Sequence, residues 1–245
     1  MDINYARCNV SNRLRAEIIG AKGELFWNEL SRDIVIPTDD MQEGQCSQCM
    51  RVFMEKFQHM LPEEKIKPIL VNVRHDLRRD DFDWAVRLFQ QIGNLDRFAE
   101  ELQKIAIGEI IDGYNQQEKY FGQTVNPEVL EYVQSVKDIF YGRRHGNEIL
   151  AQAIPNDVNE YLHATDQKQK HYLLCHCQFA RESILQDEGP VSPLLCNCSL
   201  GHTLALWEAV LDTKLEGEVV ESALKGSDRC LFRIKLPEDV LERWT

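Results

Sequence analysis

The spacing of apolar residues changes along this chain, and that change constrains the fold more than any other feature of the sequence. Through the first half, apolar residues recur every three or four positions, which is typical of one face of a helix. Near the C-terminus they alternate, which is typical of a half-buried strand: Cys230, Phe232, Ile234 and Leu236 share one side. The sequence therefore predicts an α+β fold, with a helical N-terminal region and a C-terminal α/β domain built on an antiparallel sheet.

The same spacing predicts the individual elements. The predicted helices cover 46–60, 63–73, 83–92, a longer segment from Asp96, the segment from Asn126 to near Gly142, a short segment at 179–185, and 200–211. The predicted strands cover 172–177, 216–224 and 229–236, with a polar loop at 166–170 and a turn at 225–228. Residues 13–37 are ambiguous, with short strands or turns at 24–27 and 33–36. The division is expected near residue 125, giving a helical region at 1–125 and the α/β domain at 126–245, with one compact unit as the alternative.

The charge of the chain limits the kinds of molecule that it is expected to bind. The chain carries 28 Lys and Arg against 40 Asp and Glu, a formal net charge of −12, so we expect no binding to nucleic acid. The N-terminus lacks a signal-peptide pattern, and no apolar run reaches the roughly 18 residues that span a bilayer. A cytoplasmic protein without a membrane partner is expected. The basic segment Arg143–His145 is predicted to be a solvated connection between helices, with an anion site as the alternative.

Six of the eight cysteines lie in close pairs, and this pattern indicates that they have a functional role. The pairs are Cys46 with Cys49, Cys175 with Cys177, and Cys196 with Cys198. A reducing cytosol argues against disulfides, so the pairing favours metal binding or thiol chemistry over buried, inert thiols. The predicted metal ligands are Cys175, Cys177, Cys196, Cys198 and Cys230. Such thiolates suit zinc or another thiophilic metal.

Geometry limits how the cysteine pairs can bind a metal. In an extended strand the thiols of Cys175 and Cys177 lie about 6.6 Å apart, whereas two thiolates on one zinc ion lie within about 4 Å. Either the backbone turns at His176, or only one thiol of each pair is a ligand. One thiol from each C-x-C pair together with Cys230 would supply three ligands, and His176, His202 or an acidic side chain would supply the fourth.

Thiol catalysis is the second interpretation of the cysteines. Cys198 or Cys175 is the candidate nucleophile, and His202 or His176 is the candidate base. The remaining histidines, including His75, show no convergent spacing. A third interpretation is a redox pair at Cys46 and Cys49, since a thiol at a helix start has a lowered pKa.

The last third of the chain resembles the 4-vinyl reductase-like domain over about residues 171–237. A cysteine precedes a helix at Cys196, an outgoing strand follows, and the segment Gly226–Phe232 is the most specific match. The resemblance implies an antiparallel sheet that encloses a small-molecule pocket and a domain that often dimerises. The first two thirds looks like helical, uncharacterised bacterial and archaeal relatives of that domain. The chain is also distantly similar to thiazoline-carboxylate hydrolase-like proteins.

In sensory members of that family three cysteines bind zinc, and two of them have counterparts here. Cys196 and Cys230 match the first and last of these ligands, whereas Ser222 and Val219 occupy the positions of the middle cysteine and a glutamate. The family's zinc site is therefore not intact here, and Cys175, Cys177 and Cys198 would compensate by forming a rearranged metal site or a thiol-lined pocket. The predicted function is a small-molecule-binding protein with a cysteine-rich site for zinc or another thiophilic metal, and a homodimer is expected. The alternative is a thiol-dependent hydrolase that acts on a small cyclic amide or a thiazoline-like substrate.

Overall fold

The computed structural model describes residues 9–120 and 122–245 and confirms the α+β fold, with 61% of the residues helical. The helices are α1 (Val10–Lys22), α2 (Glu24–Leu30), α3 (Glu43–Met60), α4 (Glu63–Val73), α5 (Asp83–Ile92), α6 (Leu95–Gln116), α7 (Pro127–Ser135), α8 (Val158–His163), α9 (Gln167–Leu174), α10 (Asn197–Leu211) and α11 (Glu238–Trp244). The strands are β1 (Lys119–Tyr120), β2 (Gln123–Thr124), β3 (Arg143–His145), β4 (Glu148–Gln152), β5 (Glu216–Glu221) and β6 (Leu231–Lys235).

The chain folds into two compact units whose segments are interleaved in the sequence. The first unit comprises the described residues up to Phe82 together with Cys177–Leu206. The second comprises Asp83–His176 and Trp207–Thr245, so that α10 contributes to both. These boundaries differ from the expected single division near residue 125.

The first unit is helical, and its core is aromatic. Phe53 and Phe57 lie one turn apart on α3 with ring centroids 5.8 Å apart, and Trp27 of α2 lies 6.3 Å from Phe53. Helix α2 occupies the segment where short strands or turns were expected at 24–27. Gly23, at a φ of 85°, ends α1, and α2 begins at the next residue.

The second unit is built on a four-stranded antiparallel sheet in the order β3-β4-β6-β5. Ile149 and Ala151 of β4 pair with Ile234 and Phe232 of β6, and all four side chains are buried on one face. The opposite face carries charge, because Arg233 forms ion pairs with Glu148 and Glu218 on the two neighbouring strands. Strands β5 and β6 lie within the predicted segments 216–224 and 229–236.

The strand expected at 172–177 is wrong, because that segment belongs to a helix and the turn after it. Asp166 caps α9: its carboxylate accepts a hydrogen bond from the Gln169 amide at 2.8 Å. The cap begins a helix within the expected polar loop, and Tyr172 to Leu174 form its last turn. Cys175 and Cys177 follow the helix in irregular backbone.

The segment Arg143–His145 is also corrected, from a connection between helices to strand β3. Gly142, at a φ of 82°, precedes the strand, and a Cβ atom there would lie 2.2 Å from the carbonyl oxygen of Leu150. Only glycine fits this approach. Helix α7 accordingly ends at Ser135 rather than near Gly142.

One stretch of the described chain, Pro193–Leu211, is long and apolar enough to span a membrane, a possibility that the search for uninterrupted apolar runs missed. However, 78% of its residues are buried inside the protein, as in the core helix of a water-soluble protein. Length and composition alone are therefore weak evidence of a membrane span.

Candidate functional site

The five cysteines predicted to bind metal are divided between the units. Cys175 and Cys230 belong to the second unit, whereas Cys177, Cys196 and Cys198 belong to the first. Within residues 9–120 and 122–245, no group of three or more His, Cys, Asp or Glu side chains could hold a metal ion. No two described cysteines are joined in a disulfide. The described residues thus give the predicted zinc centre no support.

Neither C-x-C pair lies in an extended strand, so the strand-based limit on their separation does not apply. Cys175 ends α9, and its amide bonds to the His171 carbonyl; the Cys177 carbonyl then accepts from the amides of Ala180 and Arg181. The other pair lies at the start of α10, where Cys196 closes a 3-10 turn and Cys198 lies in the first helical turn.

The Cys198 thiol is buried in the first unit, with only 6% of the residue exposed. Burial raises its pKa to about 12, although a hydrogen bond from the backbone of His75 acts in the opposite direction. A thiol with this pKa is protonated at neutral pH. Cys198 is therefore a poor nucleophile as the chain stands, and the structure does not favour its assignment as a catalytic cysteine.

The backbone that contacts Cys198 is strained. Arg74, His75 and Asp76 are consecutive non-glycine residues in the left-handed region, with φ values of 52°, 51° and 59°. Each costs roughly 1–2 kcal/mol in this conformation. The turn is anchored at Asp76, whose carboxylate accepts a hydrogen bond from the backbone N–H of Asn9 at 3.2 Å. Strain of this kind persists only where the surrounding structure fixes it, and it marks functional segments.

The left-handed turn brings His75 to His202, a pair that lies 127 residues apart in the sequence. The centroids of the two imidazole rings are 5.0 Å apart, and the ring planes are tilted by 33°. His202 lies one helical turn after Cys198 on α10, so all three residues meet at the same end of that helix. Nothing in the local spacing of His75 signals this contact.

A close crossing of α4 and α10 supports this arrangement. A Cβ atom at Gly201 would lie 1.8 Å from the carbonyl oxygen of Val71, far inside van der Waals contact. Glycine at this position therefore lets α10 pack directly on the backbone of α4. Its neighbour His202 is thereby placed beside the turn that follows α4.

The position and burial of Cys46 differ from those predicted for a redox pair with Cys49. Cys46 is the fourth residue of α3 rather than its start, only 1% of it is exposed, and its thiol contacts the carbonyl oxygen of Thr38 at 3.7 Å. Burial raises its pKa to about 12, and the neighbouring Cys49 adds to the rise. The expected lowering of the pKa is wrong, because burial raises it and the neighbouring Asp39 and Glu43 act in the same direction.

In the second unit, Cys230 lies near two tyrosines that contact each other. Tyr132 of α7 and Tyr161 of α8 meet edge to face, with ring centroids 6.3 Å apart, and the Cys230 thiol is close enough to raise the pKa of both. Burial is the main cause of these shifts and raises the pKa of Tyr132 to about 12. The Cys230 carbonyl accepts from the Ala153 amide at 2.9 Å, fixing the residue where β4 ends and β6 begins. Cys230 and Tyr132 are partly exposed.

The turn before Cys230 is anchored by its own contacts. The Tyr161 hydroxyl donates to the Asp228 carbonyl at 2.6 Å, and the Asp228 carboxylate pairs with Lys170 and His171 of α9 at 3.3 and 3.1 Å. Burial acts to raise the pKa of Asp228, but these hydrogen bonds outweigh it, and the pKa is lowered. The turn before Cys230, which is the most specific part of the resemblance, is therefore held by contacts from α8 and α9.

His176, the other candidate base, hydrogen-bonds a backbone carbonyl group. Its Nε2 atom lies 2.7 Å from the carbonyl oxygen of Ile154. A carbonyl only accepts hydrogen bonds, so this nitrogen carries the hydrogen and donates it. Nε2 cannot at the same time act as the base for Cys175, which is itself only 6% exposed.

Comparison with known proteins finds no match: no family model, no curated protein and no solved structure is significantly similar to this chain. The resemblance to the 4-vinyl reductase-like domain remains a prediction from the residues of the last third.

Sequence reasoning identified Cys198, His202 and Cys230 but missed their contacts. Tyr132 and Tyr161 carry no motif, and they meet because α7 packs against α8. The sequence around His75 gives no signal of its contact with His202, because His75 has no convergent spacing with any neighbouring ligand.

Proposed function

We propose that this chain is a small-molecule-binding protein whose binding site is the Cys230 site, formed by Cys230, Tyr132 and Tyr161. The observation that supports this most is the convergence of a partly exposed thiol on two aromatic rings at the end of a sheet. Ligand sites in proteins are typically lined by apolar and aromatic side chains with a few polar groups. The Cys230 site has that composition.

The lining indicates the chemistry of the ligand. The tyrosine rings offer apolar surface, the Gln152 side chain acts to lower the pKa of the Tyr132 hydroxyl, and the Lys170 ammonium lies 5.3 Å from the Tyr161 ring centroid. A buried cluster of aliphatic side chains lies below Tyr132, and its members are Ile110, Val125, Val129, Val133, Ile139, Ile154 and Val158. We infer a small, largely apolar ligand that carries a hydrogen-bonding group for the phenol or thiol.

The alternative, a thiol-dependent hydrolase, has less support. The Cys198 thiol is held protonated by burial, and Nε2 of His176 donates to a carbonyl. Cys198 is therefore not activated as a thiolate, and Nδ1 is the only nitrogen of His176 left to act as a base. The binding function requires neither a reactive thiol nor a base.

Native mass spectrometry of the purified full chain tests the proposal. We expect a non-covalently bound small molecule on the wild-type protein, with occupancy reduced about tenfold in Cys230→Ser and in Tyr132→Phe. Tyr114→Phe is the matched control, because Tyr114 lies on the exposed surface of α6. An unoccupied wild-type protein, or equal occupancy in all four proteins, would contradict the proposal.

A further inference from the structure

We propose that His75 and His202 form a two-histidine binding site for a divalent transition-metal ion, with Zn²⁺ as the representative, in the first unit. This site shares no ligand with the predicted five-cysteine centre. It also lies outside the Cys230 site, whose residues belong to the second unit.

The two rings are at a distance that suits a shared ion. Histidine is the commonest metal ligand in proteins, and zinc binds imidazole nitrogen at about 2.0–2.1 Å. Two nitrogens on one tetrahedral ion therefore lie about 3.3 Å apart. The nitrogens lie on the rims of their rings, so rings with centroids 5.0 Å apart can direct one nitrogen each toward a common ion by side-chain rotation.

Two independent features of the backbone build this pair. The strained turn at Arg74, His75 and Asp76 projects one ring, and the contact of Gly201 with Val71 places the other. Neither feature is required for an ordinary helix connection, where one left-handed residue suffices to end a helix. Their coincidence at the same two histidines is the observation that supports a binding site.

The number of protein ligands sets the character of the site. Among the described residues no preformed group of three or more ligating side chains exists, so the proposed site supplies two imidazoles. Water or a bound molecule completes the coordination. Such a site holds an exchangeable ion in an open coordination sphere, in contrast to a closed structural zinc centre.

Calorimetric titration of the metal-free full chain with Zn²⁺ tests the proposal. We expect one ion per chain, with affinity weakened at least about tenfold in His202→Gln and in His75→Asn. Asparagine is chosen at position 75 because it tolerates the left-handed conformation. His59→Gln is the matched control, since His59 is an exposed histidine of the same unit. Affinity should also fall on acidification, because imidazole binds metal only when neutral.

Circular dichroism melting of each variant establishes that it is folded at the titration temperature. The proposal is overturned if the wild-type chain binds no Zn²⁺. It is also overturned if both histidine variants bind as tightly as the wild type, including the case in which Cys196→Ser or Cys230→Ser abolishes binding instead. Each of these results is independent of whether a small molecule binds at the Cys230 site.

Discussion

The crossing of α4 and α10 makes a quantitative prediction about Gly201. In Gly201→Ala the new methyl group would lie 1.8 Å from the Val71 carbonyl oxygen and 2.7 Å from its carbonyl carbon. A carbon and a carbonyl oxygen in contact lie about 3.3–3.6 Å apart, so the helices must separate by more than an ångström. Overpacking of this kind costs about 1–3 kcal/mol or more, against a gain in helix propensity of about 1 kcal/mol. We expect a net loss of about 2 kcal/mol.

Urea denaturation, followed by circular dichroism, measures this loss as a lower midpoint. Gly20→Ala is the matched control, because Gly20 lies within α1 and a Cβ atom there has nothing within 4 Å. That variant should be more stable than the wild type by about 0.5–1 kcal/mol. A Gly201→Ala protein as stable as the Gly20→Ala protein would refute the close crossing, and with it the placement of His202.

Three further predictions concern ionisable side chains. Asp96→Asn should destabilise the protein by about 0.5–1 kcal/mol in chemical denaturation, because Asp96 forms a two-point ion pair with Arg144 at 2.8 and 2.5 Å. The Arg144 hydrogen bonds lower the pKa of this carboxyl, so the wild-type advantage should disappear as the pH falls through that lowered value, and an advantage that persists in acid would contradict the ion pair. In native protein at neutral pH, Cys46 and Cys198 should react with iodoacetamide more slowly than Cys49, since burial raises the pKa of both thiols to about 12. Because the unfolded chain loses these protons near pH 9, the free energy of unfolding should fall as the pH rises from about 9 to about 12. Equal labelling rates in the native state would show that the thiols are not buried.

Where local signals decide an element, the sequence predicted it well. Helices α4 and α5 begin and end at the predicted residues, because each has an acidic first turn and a regular apolar stripe. Strand β6 was predicted from alternation alone. Helix α9 differs from the predicted strand because three apolar residues after a charged segment resemble a short strand, whereas the signal for the helix lies upstream in its cap at Asp166.

The sites were harder to predict because they depend on tertiary contacts. The meeting of His75 and His202 requires a left-handed turn and a glycine at a helix crossing, and neither has a local signature at the histidines. The pKa of Cys46 was predicted in the wrong direction because the sequence shows its place near a helix start but not its burial. The Cys230 site likewise depends on two tyrosines from separate helices.

Protection of Cys230 from alkylation tests the proposed binding site most directly. Peptide mass spectrometry would compare the rate of iodoacetamide labelling at Cys230 in the protein as isolated and after its small molecules have been extracted. A ligand held against Cys230, Tyr132 and Tyr161 predicts slower labelling in the protein as isolated, with the rate at Cys49 unchanged as an internal reference. Identical Cys230 rates in the two preparations would contradict the assignment of this site.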